Sequence, residues 1–309
     1  MPHVICFATP PMLARRLRQD IETAFPDHRL SPPATHLEMF EAAHGFAQPG
    51  GEPAEITISA YPQLLERIWH DGAPAADLSG LNVPPLRRAW TDLGLTPPAP
   101  AVRIVAVVPL VLAVHRDLAP VVRDWDDLKP LTREPGTIGV PPEDTPLPFL
   151  LSAFLGARWG MPEAALRAGF DRASPPLDIN KRVSRGELAV GLVPPAFCRS
   201  FREGEAAMVW PESGALAVPV MAAVSPEAPA SSYRALAFLL SREMQALFAE
   251  SGGMAPAVPG APGFAELDAA DWRMLWPGWE AFIDLGRTMT AQLARDAFQG
   301  DHDKRETAS

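Results

Sequence analysis

Two long apolar segments, each interrupted by one proline, constrain the fold of this chain more than any other feature. The first is IVAVVPLVLAV, residues 104–114, with Pro109 inside it, and the second is GALAVPVMAAVS, residues 214–225, with Pro219 inside it. A proline is unfavourable in the middle of a sheet because it has no N–H to donate to the ladder. The pattern therefore predicts that each segment forms two strands joined at its proline, in different sheets.

Strands that run into helices surround these two segments. HVICFA at the start precedes a helical pattern, and AEITISAYPQLLERIW, residues 54–69, is a strand that continues directly into a helix. Repeated strand–helix steps predict a mostly parallel sheet with helices on both faces. We expect an α/β fold with two lobes, in which the chain leaves the first lobe through one apolar segment and returns through the other. The predicted boundaries are 1–108 plus 220–309 for lobe 1, 109–219 for lobe 2, and a flexible tail over 299–309.

Composition excludes several classes of function. The chain carries 37 acidic and 27 basic residues, a formal net charge of −10, which disfavours nucleic acid because that partner needs a concentrated basic face. The two cysteines, Cys6 and Cys198, lie far apart and predict buried free thiols. Neither a metal site nor a cofactor is predicted.

Targeting signals and catalytic motifs are not visible in the sequence. The first strand begins almost at Met1, and no apolar run is long enough to span a bilayer, which predicts a cytoplasmic chain with no membrane insertion. A periplasmic location is the alternative if a signal peptide has been removed. No nucleophile elbow, phosphate-binding glycine loop or Rossmann fingerprint occurs, so we expect a protein that is not an enzyme.

The chain resembles a known family over nearly its whole length. It is similar to the extracellular solute-binding proteins of ABC importers, in particular to the branch that contains the ferric-iron binders. The resemblance implies a type II periplasmic-binding-protein-like fold, with two lobes, two hinge strands and a ligand in the cleft on which the lobes close. Four blocks carry it: EITISAYPQLLE, PLVLAVHRDLAPVVRDWDDLKPLTREPGTIGVPPE, DINKRVSRGELAVGLVPPAF and YRALAFLLSREMQALFAESGGMAPAV.

The iron ligands of that branch are missing here. Ferric binders place adjacent tyrosines just after the strand that here reads LAVGLV, and this chain has Pro194-Pro195-Ala196-Phe197 instead. The loop after the first strand often carries a histidine ligand, and here it is Thr9-Pro10-Pro11. One tyrosine without histidine or carboxylate neighbours is a poor site for ferric iron. We therefore expect a small organic anion or a metal chelate as the ligand.

Candidate ligand-binding residues follow from the expected cleft, because free N–H groups at strand ends and helix starts favour ligands, especially anions. In lobe 1 these are Thr9, Ser59 and Tyr61. The candidates in lobe 2 and near the second hinge are Pro142, Asp144, Thr145, Asn180, Arg182, Pro195, Cys198, Trp210 and Glu212.

Most of these residues also have a structural interpretation. Ser59 is suited to cap its own helix, and Asp144 and Thr145 to cap the next one. The phenol of Tyr61 is equally consistent with packing on the hinge. Arg182 suits a bidentate carboxylate or phosphate, or a surface position, and Trp210 suits a flat ligand or hinge packing.

The leading functional hypothesis is a protein that closes on a small molecule for sensing, delivery or ABC-type transport. Its partners would be the ligand and either an ABC permease or a cytoplasmic acceptor protein. Two alternatives remain open: an enzyme on the same two-lobed fold, and a protein-interaction partner that has lost ligand binding.

Overall fold

The computed structural model describes residues 3–7, 11–33, 38, 54–142, 145–172, 174–202 and 205–291. Its strands are β1 (His3–Phe7), β2 (His28–Ser31), β3 (Ile56–Ser59), β4 (Arg103–His115), β5 (Ile138–Gly139), β6 (Phe170–Asp171), β7 (Val190–Val193), β8 (Ala206–Val209), β9 (Ala215–Val224), β10 (Ala255–Pro256) and β11 (Met274–Leu275). Its α-helices are α1 (Pro11–Ala24), α2 (Gln63–Trp69), α3 (Arg88–Asp92), α4 (Leu147–Trp159), α5 (Glu163–Gly169), α6 (Pro176–Ser184), α7 (Pro195–Cys198), α8 (Ala230–Leu239), α9 (Arg242–Gly252), α10 (Ala265–Ala269) and α11 (279–291), and a 3-10 helix covers Trp125–Arg133.

The sheet repeats one arrangement in both halves of the molecule. The strand order is β2-β1-β3-β9-β4-β7-β5-β6. In lobe 1, β1 pairs in parallel with β2 and β3, and β9 is antiparallel to β3. In lobe 2, β5 pairs in parallel with β6 and β7, and β4 is antiparallel to β7. The predicted two-lobed α/β fold is confirmed, although no internal repeat is visible in the sequence.

Both apolar segments form single strands, so the prediction that each breaks at its proline is wrong. The two strands pair with each other, with Pro109 opposite Ala217 and Pro219 opposite Val107. On its other edge β4 pairs with β10 up to Val107 and with β7 from Val111 onward. β9 likewise pairs with β11 at one end and with β3 at the other. Each proline therefore lies where no outer strand is paired, and its missing N–H interrupts no outer ladder.

The paired strands β4 and β9, which we call the hinge pair, divide the core unequally. Ile104, Leu110 and Val114 on one face of β4 belong to a single apolar cluster that includes residues of both lobes. On the other face, Val105 contributes to a lobe 1 cluster and Val111 to a separate lobe 2 cluster. The lobes are therefore joined by a continuous core on one side of the hinge pair and have separate cores on the other. The predicted lobe boundaries stay a prediction.

The segment SSYRALAFLLSREMQALFAESGG, residues 231–253, has the pattern of one long amphipathic helix that ends at its glycine pair, but it forms two helices. α8 ends at Leu239, and Ser241 begins α9 by accepting a hydrogen bond on its hydroxyl from the N–H of Met244. A serine hydroxyl competes with the helical carbonyls for backbone N–H groups, which favours a new helix start over continuation. The predicted end of this segment is confirmed, because α9 finishes at the left-handed residue Gly253.

Further predictions concern the first helix, residues 35–46, the C-terminal tail and membrane-spanning helices. The four-residue spacing of Leu13, Leu17 and Ile21 predicts one apolar stripe on α1, which is confirmed because all three side chains are fully buried. The segment THLEMFEAAHGF, residues 35–46, has the pattern of a second short helix, but it lies outside the described residues apart from Glu38. The tail over 299–309 lies outside them entirely. In the described part of the chain, no helix is long and apolar enough to cross a bilayer.

Two glycines allow α6 to pack closely on the lobe 2 sheet. Gly139 on β5 and Gly191 on β7 lie opposite each other, and the side chain of Ile179 from α6 covers them. A Cβ atom at Gly191 would overlap the Cγ2 methyl of Ile179 and come within 3.3 Å of Val183. The helix therefore lies closer to the sheet than any residue with a side chain would permit.

We expect Gly191→Ala to lower the free energy of unfolding by about 1–3 kcal/mol, the usual range for overpacking a core. Urea denaturation followed by circular dichroism measures this loss. Gly80→Ala is the control, because no atom lies within 4 Å of a Cβ at that position. Adding Ile179→Ala to Gly191→Ala removes the overlap, so strictly additive losses in the double variant would contradict this account of the packing.

Candidate functional site

The strand ends of the two lobes meet beside the middle of the hinge pair. β3 ends with Ser59 opposite Met221 of β9, and β7 ends with Val193 opposite Val111 of β4. The segments that follow, residues 60–62 and 194–196, therefore reach the level of the two hinge prolines from opposite edges. In each lobe the strand order reverses at the central parallel strand, and α/β sheets bind ligands at the carboxyl ends of the strands beside such a reversal.

The contacts described for Ser59 and Tyr61 are with other parts of the protein. The Ser59 hydroxyl accepts a hydrogen bond of 3.0 Å from the N–H of Tyr61, which closes a tight turn. The N-cap of α2 is Pro62, so Ser59 does not cap that helix. Tyr61 is only 4 % exposed and belongs to the core cluster that spans both lobes. Packing on the hinge therefore describes most of its ring, and a ligand contact by Tyr61 stays a prediction.

The loop after β5 is also bonded to itself. The Thr145 hydroxyl donates to the carbonyl of Pro142 at 2.7 Å, and the N–H of Thr145 donates to the same oxygen. The N-cap of α4 is Pro146, so Thr145 does not cap the helix as one interpretation of the sequence suggested. Asp144 and Thr9 lie outside the described residues.

Arg182 makes the bidentate ion pair that the sequence suggested, but with a carboxylate of its own lobe. Its two terminal nitrogens donate to the two carboxylate oxygens of Asp171, each at 2.8 Å. Ser174 accepts a further bond, and Glu187 lies 3.4 Å from the Nε atom. Asp171 raises the pKa of Arg182 above its usual value. The guanidinium therefore joins α6 to β6, and a ligand role for it has no support from these contacts.

Asn180 lies on the flank of lobe 2. Its amide nitrogen donates to the carbonyl of Phe197, while its Oδ1 atom is buried with no partner among the described residues. It lines a pocket of about 390 Å³ with Lys181 of α6, Arg185 directly after that helix, and Arg202 in the loop after α7. This pocket contains none of the other predicted ligand residues.

Trp210 and Glu212 lie together at a second pocket, of about 420 Å³, which Glu266 and Arg273 also line. The indole N–H of Trp210 donates to the carbonyl of Arg273 at 2.9 Å, and the Arg273 guanidinium donates to the carbonyl of Glu212. These bonds connect the loop between β8 and β9 to Arg273, the residue before β11. Hinge packing accounts for Trp210, and its contact with a ligand stays a prediction.

Pro195 and Cys198 form the two ends of the short helix α7, and both are buried. Burial, together with a smaller effect of the nearby Glu266 carboxylate, raises the pKa of the Cys198 thiol to about 12. Cys6 is buried on β1, and burial raises its pKa to about 12 as well. The prediction of buried free thiols is confirmed for both.

Taken together, the segments that follow β3 and β7 consist of Ala60-Tyr61-Pro62 and Pro194-Pro195-Ala196, none of which has a charged side chain. No cluster of three or more potential metal ligands occurs in the part of the chain that the structure describes. The sequence patterns missed one contact at this place: Ala196 touches Gly253, where a Cβ atom would lie 3.0 Å from the alanine Cβ. The glycine pair at the end of α9 signals only a helix end, because nothing local encodes a neighbour more than 50 residues away.

Comparison with known proteins identifies a matching sequence family and solved structures with a related fold. Residues 53–284 match the sequence pattern of the family described as bacterial extracellular solute-binding protein. No curated protein matches the chain.

Solved structures share the fold over nearly all of both chains. The ferric binding protein from Campylobacter jejuni has a TM-score of 0.70 at 12 % identity, covering 94 % of this chain and 98 % of that one. The FutA (IdiA) protein of Trichodesmium, in complex with iron and citrate, gives 0.66 at 15 %, covering 96 % and 99 %. The substrate-binding protein of an ABC transporter from Agrobacterium tumefaciens gives 0.65 at 18 %, covering 94 % of each chain. At these identities the likeness shows the fold.

We expect neither cysteine to react with a water-soluble disulfide reagent at pH 8 while the protein is folded, because both are buried thiols with strongly raised pKa values. Absorbance of the released thiolate should report none of the two thiols in native protein and both in guanidinium. A native thiol that reacts at the rate of a free cysteine would contradict the described burial.

We expect Arg182 and Asp171 to be energetically coupled by about 1–3 kcal/mol, since removing either one takes a two-point, charge-assisted pair away from a partly buried charge. Urea denaturation of Arg182→Gln, Asp171→Asn and the double variant measures the coupling. Arg185→Gln is the control, because that side chain is 69 % exposed and its nearest carboxylate oxygen is 3.7 Å away. A coupling near zero would return Arg182 to the set of side chains free to bind a ligand.

Proposed function

The chain belongs to the bacterial extracellular solute-binding proteins, and we propose that it holds a small organic anion or a metal chelate between residues 60–62 and 194–196. It has the two-lobed fold of a type II periplasmic binding protein, and members of this class deliver solutes to ABC importers. The single observation that carries the proposal is that the strand ends of both lobes converge at the hinge prolines.

The ligand class follows from what lies at this convergence. A bare ferric ion needs several hard anionic ligands, and the segment after β7 offers Pro194, Pro195 and Ala196. A chelated metal or an organic anion brings its own oxygen atoms and needs only hydrogen-bond donors and a close apolar fit from the protein. The Trichodesmium protein with a related fold contains both iron and citrate, which supports testing a chelate first.

The wider setting of this function is also a proposal. We infer that the chain binds without chemical turnover and that its partner is the permease of an ABC importer, as in the family generally. The family is an extracellular one, whereas the sequence alone favoured the cytoplasm and left an ABC permease and a cytoplasmic acceptor both open as partners. An extracellular site is the proposal that the family supports, and cell fractionation tests it.

Ligand identity is best tested on protein purified from its own host. We expect native mass spectrometry to detect one bound small molecule per chain and isothermal calorimetry to detect one site for ferric citrate or for citrate. Incubation with the bound molecule should return it unchanged. A consumed ligand would favour the enzyme alternative, and no bound species together with no heat from either probe would contradict the proposed ligand class.

The contribution of Tyr61 is tested with Tyr61→Phe, which removes only the phenolic oxygen from a buried ring. If the hydroxyl bonds the ligand, we expect affinity for the identified solute to fall about tenfold. Tyr233→Phe is a matched control, since Tyr233 is the only other tyrosine and lies in α8 of lobe 1. Equal affinities for the two variants would remove Tyr61 from the proposed site.

A further inference from the structure

Arg199, at the end of α7, connects lobe 2 to residues on the lobe 1 side. Its Nη1 atom donates to the carbonyl of Glu250 at 3.1 Å, in the last turn of α9. Its Nε and Nη2 atoms donate to the two carboxylate oxygens of Glu266, at 3.2 and 3.4 Å. The guanidinium also lies over the ring of Phe264, 5.6 Å from its centroid. One side chain therefore contacts two separate elements of the other side, α9 and the start of α10.

The positions of these partners make the contact one between lobes. Arg199 follows β7, whose partners in the sheet are β4 and β5 of lobe 2. Glu250 belongs to α9, whose Phe248 packs on Phe7 of β1 in the lobe 1 core. Cys198 of α7 belongs to the lobe 2 cluster and Phe264 to the cluster that both lobes share. The contact therefore lies where the lobe 1 cluster, the lobe 2 cluster and the shared cluster meet, and its polar groups add to the apolar contacts that join the lobes there.

The chemistry of the contact favours a cation at this position. The last carbonyls of a helix carry partial negative charge, and a guanidinium satisfies one of them while pairing with a carboxylate in two-point geometry. Arg199 is 37 % exposed at its side chain and Glu266 is 24 % exposed, so the pair is only partly screened by water. Its net contribution is therefore moderate, which suits a contact that forms and breaks.

A close backbone approach lies beside the ion pair. Gly253 ends α9 with φ of +60°, and Ala196 of α7 lies so near that a Cβ atom at Gly253 would be 3.0 Å from the alanine Cβ and 3.3 Å from its nitrogen. Any side chain at residue 253 would push α7 away. The ion pair and the close approach at Gly253 therefore lie at the same junction between α7 and α9. The ion pair attracts the two sides, and the lack of a side chain at Gly253 allows their backbones to come this close.

We propose that Arg199 and Gly253 form a latch that holds the two lobes in the juxtaposition seen here, and so sets how readily they close. The effect of this latch on ligand affinity rests on the proposed function, because a protein that binds by closure gains affinity when the closed arrangement is favoured. The contact between the lobes does not depend on that function. Arg199 is a positioning residue that acts through the lobes and touches no ligand.

The latch is tested on ligand-free protein, so that its failure is separate from any failure to find a ligand. Nitroxide labels on Gln19→Cys in α1 and Ala164→Cys in α5, both exposed sites, report the distance between lobes by double electron–electron resonance. Both native thiols are buried, so we expect the label to react only with the introduced cysteines, and unlabelled wild-type protein serves as the check. We expect Arg199→Gln to shift the distances to longer values or broaden them, and Arg185→Gln to change nothing.

Two further comparisons separate the latch from general destabilisation. The exchanged pair Arg199→Glu with Glu266→Arg should recover part of the shift that each single variant causes. Gly253→Ala should lengthen the distances between the labels. Gly160→Ala is the control, because it also puts a side chain at a left-handed helix end but no atom lies within 4 Å of the new Cβ, and it should leave the distances unchanged. Distances that stay unchanged in Arg199→Gln and Gly253→Ala, or that change equally in Gly160→Ala, would overturn the proposal.

Discussion

The antiparallel pairing of β4 with β9 is the interaction on which the rest of the structure depends. These are the two longest strands in the described part of the chain, of 13 and 10 residues, and every residue of β9 is buried. Each of them serves as the antiparallel strand of one lobe and extends into the other. Because each carries its proline at the point where its outer neighbours change, the pair crosses between lobes without losing an outer ladder bond.

The architecture follows from local sequence patterns more directly than the site does. Alternation of apolar strands and helices, and the two apolar segments, indicated an α/β fold with two crossings. The patterns erred where a long-range neighbour decides the outcome: Pro109 is tolerated because the outer edge of β4 has no partner strand there. Ser241 divides a helix because its hydroxyl captures one N–H, a local effect that helical periodicity alone obscures.

The candidate site was less predictable for a physical reason. Residue type indicates what a side chain is able to bind, and the fold determines whether that capacity is already used. Arg182 has the bidentate geometry expected of a residue that binds an anion, but its two terminal nitrogens already donate to Asp171. Trp210 donates its indole N–H to Arg273. Conversely, Arg199 attracted no attention in the sequence, since its partners Glu250 and Glu266 lie more than 50 residues away along the chain.

We propose that the two lobes, joined by one strand pair and a core on one of its faces, close on a solute where the ends of β3 and β7 converge. The most direct measurement is a crystal structure of the protein purified from its own host. We predict ligand density between residues 60–62 and 194–196, in contact with both lobes. Density confined to one lobe, or to the flank pocket lined by Asn180, would contradict the account.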